Sequence, residues 1–231
     1  MSMGDKLTTI AENEQKVYDS GYSKAESDFW DRLQQSGTRD YYEYGFAYWG
    51  NEYIRPKYKV VPKTRAISMF ASCSNLKVVE KEYFDLSNCT TNNTTSTQGN
   101  YCVFRDCVNL QRVEDIGIKP GYYYNTFFNC KKLETIDVLR CEKETMFANT
   151  FSDCNKLKNI TIEGVIGQNF NVGEKRELLT HGSLMSFINA LYDYAADGDT
   201  STHTLTIGAT NLDKLTDSEK AIATQKGWTL A

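Results

Sequence analysis

Seven cysteines and two histidines, His181 and His203, are the residues whose side chains could carry nucleophilic or metal chemistry. A Cys–His pair would activate a thiolate for hydrolysis, and Cys/His clusters at short spacing would hold zinc. No Cys-x-x-Cys pair occurs and the cysteine count is odd, which argues against both a zinc site and a disulfide framework. His181 stands near an expected helix start and His203 at an expected strand start, with no metal-ligand spacing between them. Each therefore reads as a surface or cap residue. The chain has no glycine-rich phosphate loop, no Gly-x-Ser-x-Gly elbow and no His-Glu-x-x-His. Gly164-Val165-Ile166-Gly167 lacks the strand-to-helix context of a nucleotide site. Carboxylates are numerous, but no pair is singled out as glycosidase acids. The expectation is a chain that is not an enzyme, with no catalytic, cofactor-binding or metal-binding residues. A Cys–His hydrolase using Cys89, Cys102 or Cys141 is the best remaining enzyme alternative.

Four of the cysteines are explained by the element that must position them. Phe, two residues, Cys, two residues, Leu, two residues, then Val or Ile recurs four times. The copies are Phe70-Cys73-Leu76-Val79, Phe104-Cys107-Leu110-Val113, Phe127-Cys130-Leu133-Ile136 and Phe151-Cys154-Leu157-Ile160. Successive Phe residues are 34, 23 and 24 positions apart, and a near-constant period of that size is the signature of a solenoid. In each copy the Leu-x-x-Val/Ile half predicts a short strand stacked on its neighbours, with Phe, Cys and Leu inside. Free Cys is among the most buried residue types, so the four repeat cysteines predict a buried column. Cys89 and Cys141 each follow a short, partly apolar stretch and suggest a second column, and Cys102 is unassigned. The long first interval is filled by Thr90 to Asn100, a Thr/Asn-rich loop.

Four segments are expected along the chain: an N-terminal helix (1–36), an aromatic-rich N-terminal cap (37–62), the repeats (63–165) and a C-terminal cap (166–231). Leu7 to Leu33 contains no Pro, and Tyr18, Tyr22, Ala25, Phe29 and Leu33 form an apolar stripe at helical spacing. That helix either packs on its own domain or bundles with copies of itself, which leaves a homo-oligomer open. Tyr41 to Tyr58 is crowded with aromatics. Such a cluster suits either a sugar-binding platform or a plug over the end of the repeats. Thr180 to Ala195 predicts a helix with Leu184, Phe187, Ile188 and Leu191 on one face. His203 to Ile207 predicts a strand, Thr216-Asp217-Ser218-Glu219 a capping box opening a helix that ends near Gly227, and Trp228 to Leu230 a last strand. The fold class expected is α+β: a short solenoid of stacked strands with a helical N-terminal segment and an α/β C-terminal cap.

At 40% hydrophobic residues the chain can fill a core, and its net charge of −4 with interspersed signs disfavours nucleic acid as a partner. No apolar run approaches a membrane span, and the start, Met1 to Thr9, lacks the apolar run of a secretory signal. The expectation is therefore cytoplasmic synthesis without membrane insertion.

The repeat Phe-x-x-Cys-x-x-Leu-x-x-Ile/Val resembles the treponemal-type leucine-rich repeat of bacterial surface proteins. Met69–Val79, Val103–Val113, Thr126–Ile136 and Thr150–Ile160 carry the match. The residues before the Phe (Met69, Val103, Thr126, Thr150) depart from the small residue usual in that family, and its Pro-containing second half is degraded. Ile10 to Tyr22, Phe29-Trp30-Asp31 and Pro56-Lys57-Tyr58 resemble the start of tail-associated proteins of Gram-positive phages and prophages. Leu179-Thr180, Ile188 to Leu191, Lys220 to Thr224 and Gly227 to Leu230 are similar to their closing module. These resemblances imply a non-enzymatic phage tail accessory protein. It would assemble in the cytoplasm, enter the phage particle and recognise a protein or a host-surface polysaccharide. The alternative is a cell-surface adhesion protein. The family pattern is one of core positions, so no ligand-contacting residue carries over.

Overall fold

The computed structural model describes residues 46–47, 50–56, 59–62, 66–89, 101–173 and 178–231. The chain divides into two compact units, Met1–Arg39 and Asp40–Ala231, and every described residue belongs to the second. The expected N-terminal helix, the first aromatics of the 37–62 segment and the Thr/Asn-rich loop lie outside the described residues.

The described part is α+β, with few helices and two parallel sheets. Strands β1 (Val78–Val79), β2 (Arg112–Val113), β3 (Thr135–Cys141) and β4 (Asn159–Gly164) pair in sequence order. Each belongs to one copy of the repeat, and Val79, Val113, Ile136 and Ile160 fall opposite one another. A continuous backbone ladder runs beside them. Lys77 N–H bonds Glu52 O, Gln111 bonds Lys77, Glu134 bonds Gln111, Lys158 bonds Glu134, and Thr180 bonds Lys158. The ladder thus reaches one tier before the first sequence repeat and one step beyond the last. The preceding tier is entered at Phe46, whose ring stacks on Phe70 at 5.5 Å and whose N–H bonds Met69 O. The described part of the 37–62 segment therefore continues the stack.

Tight backbone geometry brings each Phe inward. The residues two before and two after it adopt positive φ in all four copies: Ser68 and Ser72, Cys102 and Asp106, Asn125 and Asn129, Asn149 and Asp153. Asn and Asp tolerate this region best among residues with a Cβ, and they fill five of these eight places. Between the paired reversals the Phe side chains form a file. Phe70–Phe104, Phe104–Phe127 and Phe127–Phe151 stack with centroids 5.3, 5.3 and 5.7 Å apart. Such offset aromatic pairs add roughly 0.5–1.5 kcal/mol each beyond burial.

The second sheet has order β5 (Phe170–Asn171), β6 (His203–Thr206) and β7 (Trp228–Leu230), all parallel. Helix α1 (His181–Ala190) joins β5 to β6. The short α2 (Ala209–Leu212) and α3 (Asp217–Gln225) join β6 to β7. The expected capping box is present at α3: Thr216 accepts from Glu219 N–H while Glu219 bonds the Thr216 N–H. Helix α1 is shorter than the expected Thr180–Ala195 segment. Leu191 turns extended and bridges Ile166 in parallel, because Leu191 and Tyr194 are needed as buried cap residues. The Lys226 ammonium closes the end of α1 by donating to the carbonyls of Ile188, Asn189 and Leu191. Its desolvation there lowers its pKa.

Helix α1 lies along β4 where a further strand would otherwise pair. Ser183 Oγ accepts from Ile160 N–H at 3.0 Å, and Ser186 Oγ accepts from Ile162 N–H at 2.8 Å. Two serine hydroxyls thus satisfy a sheet edge that would otherwise invite edge-to-edge pairing. Ser183→Ala leaves the buried Ile160 N–H without an acceptor. The expected cost is about 1–3 kcal/mol, read as a lower denaturant midpoint. A midpoint equal to that of the native protein would show that the hydroxyl does not hold this edge.

Candidate binding surface

The sixteen repeat residues, from Phe70 to Ile160, are all buried. Their chemistry is spent inside, although the almost fully buried Phe151 ring reaches the lining of one cleft. Cys73, Cys107, Cys130 and Cys154 each donate their thiol to the carbonyl of the Phe one tier earlier, at 2.8–3.1 Å. Sequence reasoning placed the cysteines inside as small apolar residues and missed this bond, which joins each tier to the one before it. Cys89, Cys102 and Cys141 are free and buried as well.

Burial pushes the thiols of Cys102, Cys107, Cys130 and Cys141 above their ordinary value, and that of Cys89 up to about 12. In the unfolded chain these thiols lose their protons near pH 8.5, whereas the folded protein holds them to higher pH. The stability they contribute is fully present below that pH. It is lost as the pH rises toward the folded values, because the unfolded state then binds fewer protons. The melting temperature is therefore expected to fall above about pH 8.5, and a maleimide reagent should label the thiols only on unfolding. Stoichiometric labelling of the native protein at neutral pH would contradict this.

Both histidines lie in the C-terminal cap. His181 Nε2 lies 2.9 Å from Glu219 Oε1, joining the starts of α1 and α3. The His203 ring stacks on Tyr194 at 3.5 Å and lies 5.4 Å from Trp228. Gly164 and Gly167 mark close backbone approach: a Cβ at either would collide with the carbonyl oxygen of Cys141 or Lys143, respectively. Among the described residues no group of three or more His, Cys, Asp or Glu could hold a metal. No helix there is long and apolar enough to cross a membrane.

Among the described residues, the outward-facing features include the solvent side of the four-stranded sheet and two clefts. The sheet face carries opposite charges about one repeat apart. Arg55 pairs with Glu80 and Arg112 with Asp137 through two hydrogen bonds each, while Lys77 pairs with Glu52 and Lys158 with Glu134. The Arg140 guanidinium grips both Asp115 oxygens and reaches Glu163, and it holds the Asp115 carboxyl below its usual range. Exposed pairs of this kind add little to stability. Their consequence is register and a face whose charges largely cancel. One cleft, of about 620 Å³, opens beside this ladder and is lined by both signs, among them Lys81, Asp85, Asp115 and Arg140.

The second cleft, of about 460 Å³, lies between the segments 146–152 and 168–173, and none of the described residues lining it has an ionisable side chain. A row of tyrosines leads to it. Tyr101 stacks on Tyr124 at 5.2 Å, Tyr124 on Tyr122 at 5.6 Å, and Tyr122 bridges Met146 at the rim. Comparison with family models, with curated proteins and with solved structures gives no match to the chain.

Proposed function

We propose that this chain is a non-enzymatic binding protein built on a short leucine-rich-repeat solenoid, and that it serves as an accessory protein of a phage or prophage tail. The observation that supports it most is the use of the four repeat thiols as donors to neighbouring carbonyls. The one reactive residue type in the motif is consumed in stacking, so what differs from tier to tier is the outer surface. A surface that varies over a constant interior is what a recognition scaffold needs. The tail assignment rests on the resemblance of the terminal segments, and the partner it implies is a protein or polysaccharide of the host surface.

Mass spectrometry of particles purified after prophage induction in the source strain tests the role. A fixed ratio of this chain to tail proteins would support it. Recovery only in the cell-wall or secreted fraction would replace it with the adhesion reading.

A further inference from the structure

We infer that the uncharged cleft is a binding site for a neutral carbohydrate. The inference rests on reading the chain as a binding protein, and it assigns that reading a site and a ligand class.

The lining is selective. Met146, Phe147 and Phe151 supply an apolar floor, and Asn149, Gln168, Asn169 and Asn171 surround it. The chain as a whole is 24% charged, yet none of the described residues lining this cleft is charged. An ionised ligand would find no counter-charge on the described residues of its lining.

Three of the amides are oriented by the backbone. The Asn169 Oδ1 accepts from Thr204 N–H at 2.8 Å and the Asn171 Oδ1 from Gly173 N–H at 2.6 Å. A backbone N–H can only donate, so in both residues the carbonyl end is taken and the NH₂ group remains as a donor. The Gln168 Nε2 donates to Lys143 O at 3.4 Å, which leaves its carbonyl oxygen as an acceptor. Asn149 is exposed and held at positive φ. Fixed donors and a fixed acceptor around an apolar floor match a sugar ring, which offers a C–H face and hydroxyls that both donate and accept.

The row of rings explains why the cleft is open. Three residues before the Phe, successive tiers carry Tyr101, Tyr124 and then Ala148. Where a third tyrosine would continue the file, a methyl group leaves space at the rim. A volume near 460 Å³ lies within the range of small-molecule sites and suits one or two sugar rings, with Tyr122 beside any chain that continues outward.

The test is a glycan array carrying neutral and acidic oligosaccharides, probed with the purified full chain. The best neutral binder is then titrated by calorimetry against the native protein, Ala148→Arg and Asn149→Asp. Both positions are exposed, and Asp tolerates positive φ nearly as well as Asn, so melting temperatures should match the native value. The expected result is retention of neutral oligosaccharides and at least about a tenfold loss of affinity in each variant. Retention of acidic oligosaccharides alone, affinity unchanged in both variants, or displacement of the sugar by extended peptides in preference to other glycans would overturn the assignment. The particle measurement is independent. A chain found in particles that binds no neutral sugar keeps the tail role and loses this site, and the reverse result does the opposite.

Discussion

Phe127→Ala is expected to lower stability by about 3–5 kcal/mol, the range for deleting a buried aromatic side chain. Phe127 is fully buried in the middle of the phenylalanine file, 5.3 Å from Phe104 and 5.7 Å from Phe151. Removing the ring opens a void with aromatic walls on two sides. The cost of such a void depends on how far the neighbours can close over it, and here they are held apart. Phe127 N–H bonds Thr150 O, Phe104 N–H bonds Thr126 O, and the Cys154 thiol bonds the Phe127 carbonyl. Closing the gap would shorten the spacing between tiers and break these bonds together. A denaturant melt on the purified variant gives the number. A loss below about 1 kcal/mol would mean that the tiers slide and refill the space, and that the hydrogen bonds between them do not set the spacing. Phe128 points outward and is half-buried, so Phe128→Ala serves as the control with a much smaller effect.

The interior was legible because its four residue types recur with one spacing, and each place in the motif has one environment. The tier entered at Phe46 carries no motif in the sequence. Three residues after Phe46 stands Trp49 where the other copies have Cys, so the motif breaks even though the backbone ladder continues through Glu52. The reversals around each Phe do have a sequence signal: Asn125, Asn129, Asn149, Asp106 and Asp153 stand two places before or after their Phe residues. The ion pairs were equally readable in principle, since Arg112 and Asp137 are one repeat apart. Other features carry no local signal. Strand β5 has two residues, too few for a periodicity to register. The end of α1 at Ala190 is decided by the pairing of Leu191 with Ile166, a contact 25 residues distant in the chain. The uncharged cleft combines two separated segments of ordinary residues, and only their meeting makes it distinctive.

Gly164→Val is expected to be among the most damaging single changes in the protein, at about 3 kcal/mol or more. Two effects act at this residue. Its φ is +97°, where a β-branched residue is a severe outlier. A Cβ there would also collide with the carbonyl oxygen of Cys141, a backbone atom in β3 opposite Gly164. That oxygen cannot turn aside cheaply, because it already accepts from Val165 N–H at 3.0 Å and β3 is held between β2 and β4. The pair must therefore part at its end. Gly198 separates the two effects: its φ is +70° but its Cβ would meet nothing, so Gly198→Val should show the conformational cost alone. Equal loss of melting temperature in the two variants would mean that the close approach of β3 and β4 contributes nothing. If the approach matters, Gly164→Val should also weaken sugar binding, because the chain leaving Gly164 runs through Gly167, packed against Lys143 O, to Gln168 and Asn169 on the cleft wall. Displacing that path moves the amides relative to Asn149 on the other wall, so affinity and stability should fall together in this variant, whereas in Ala148→Arg only affinity should fall.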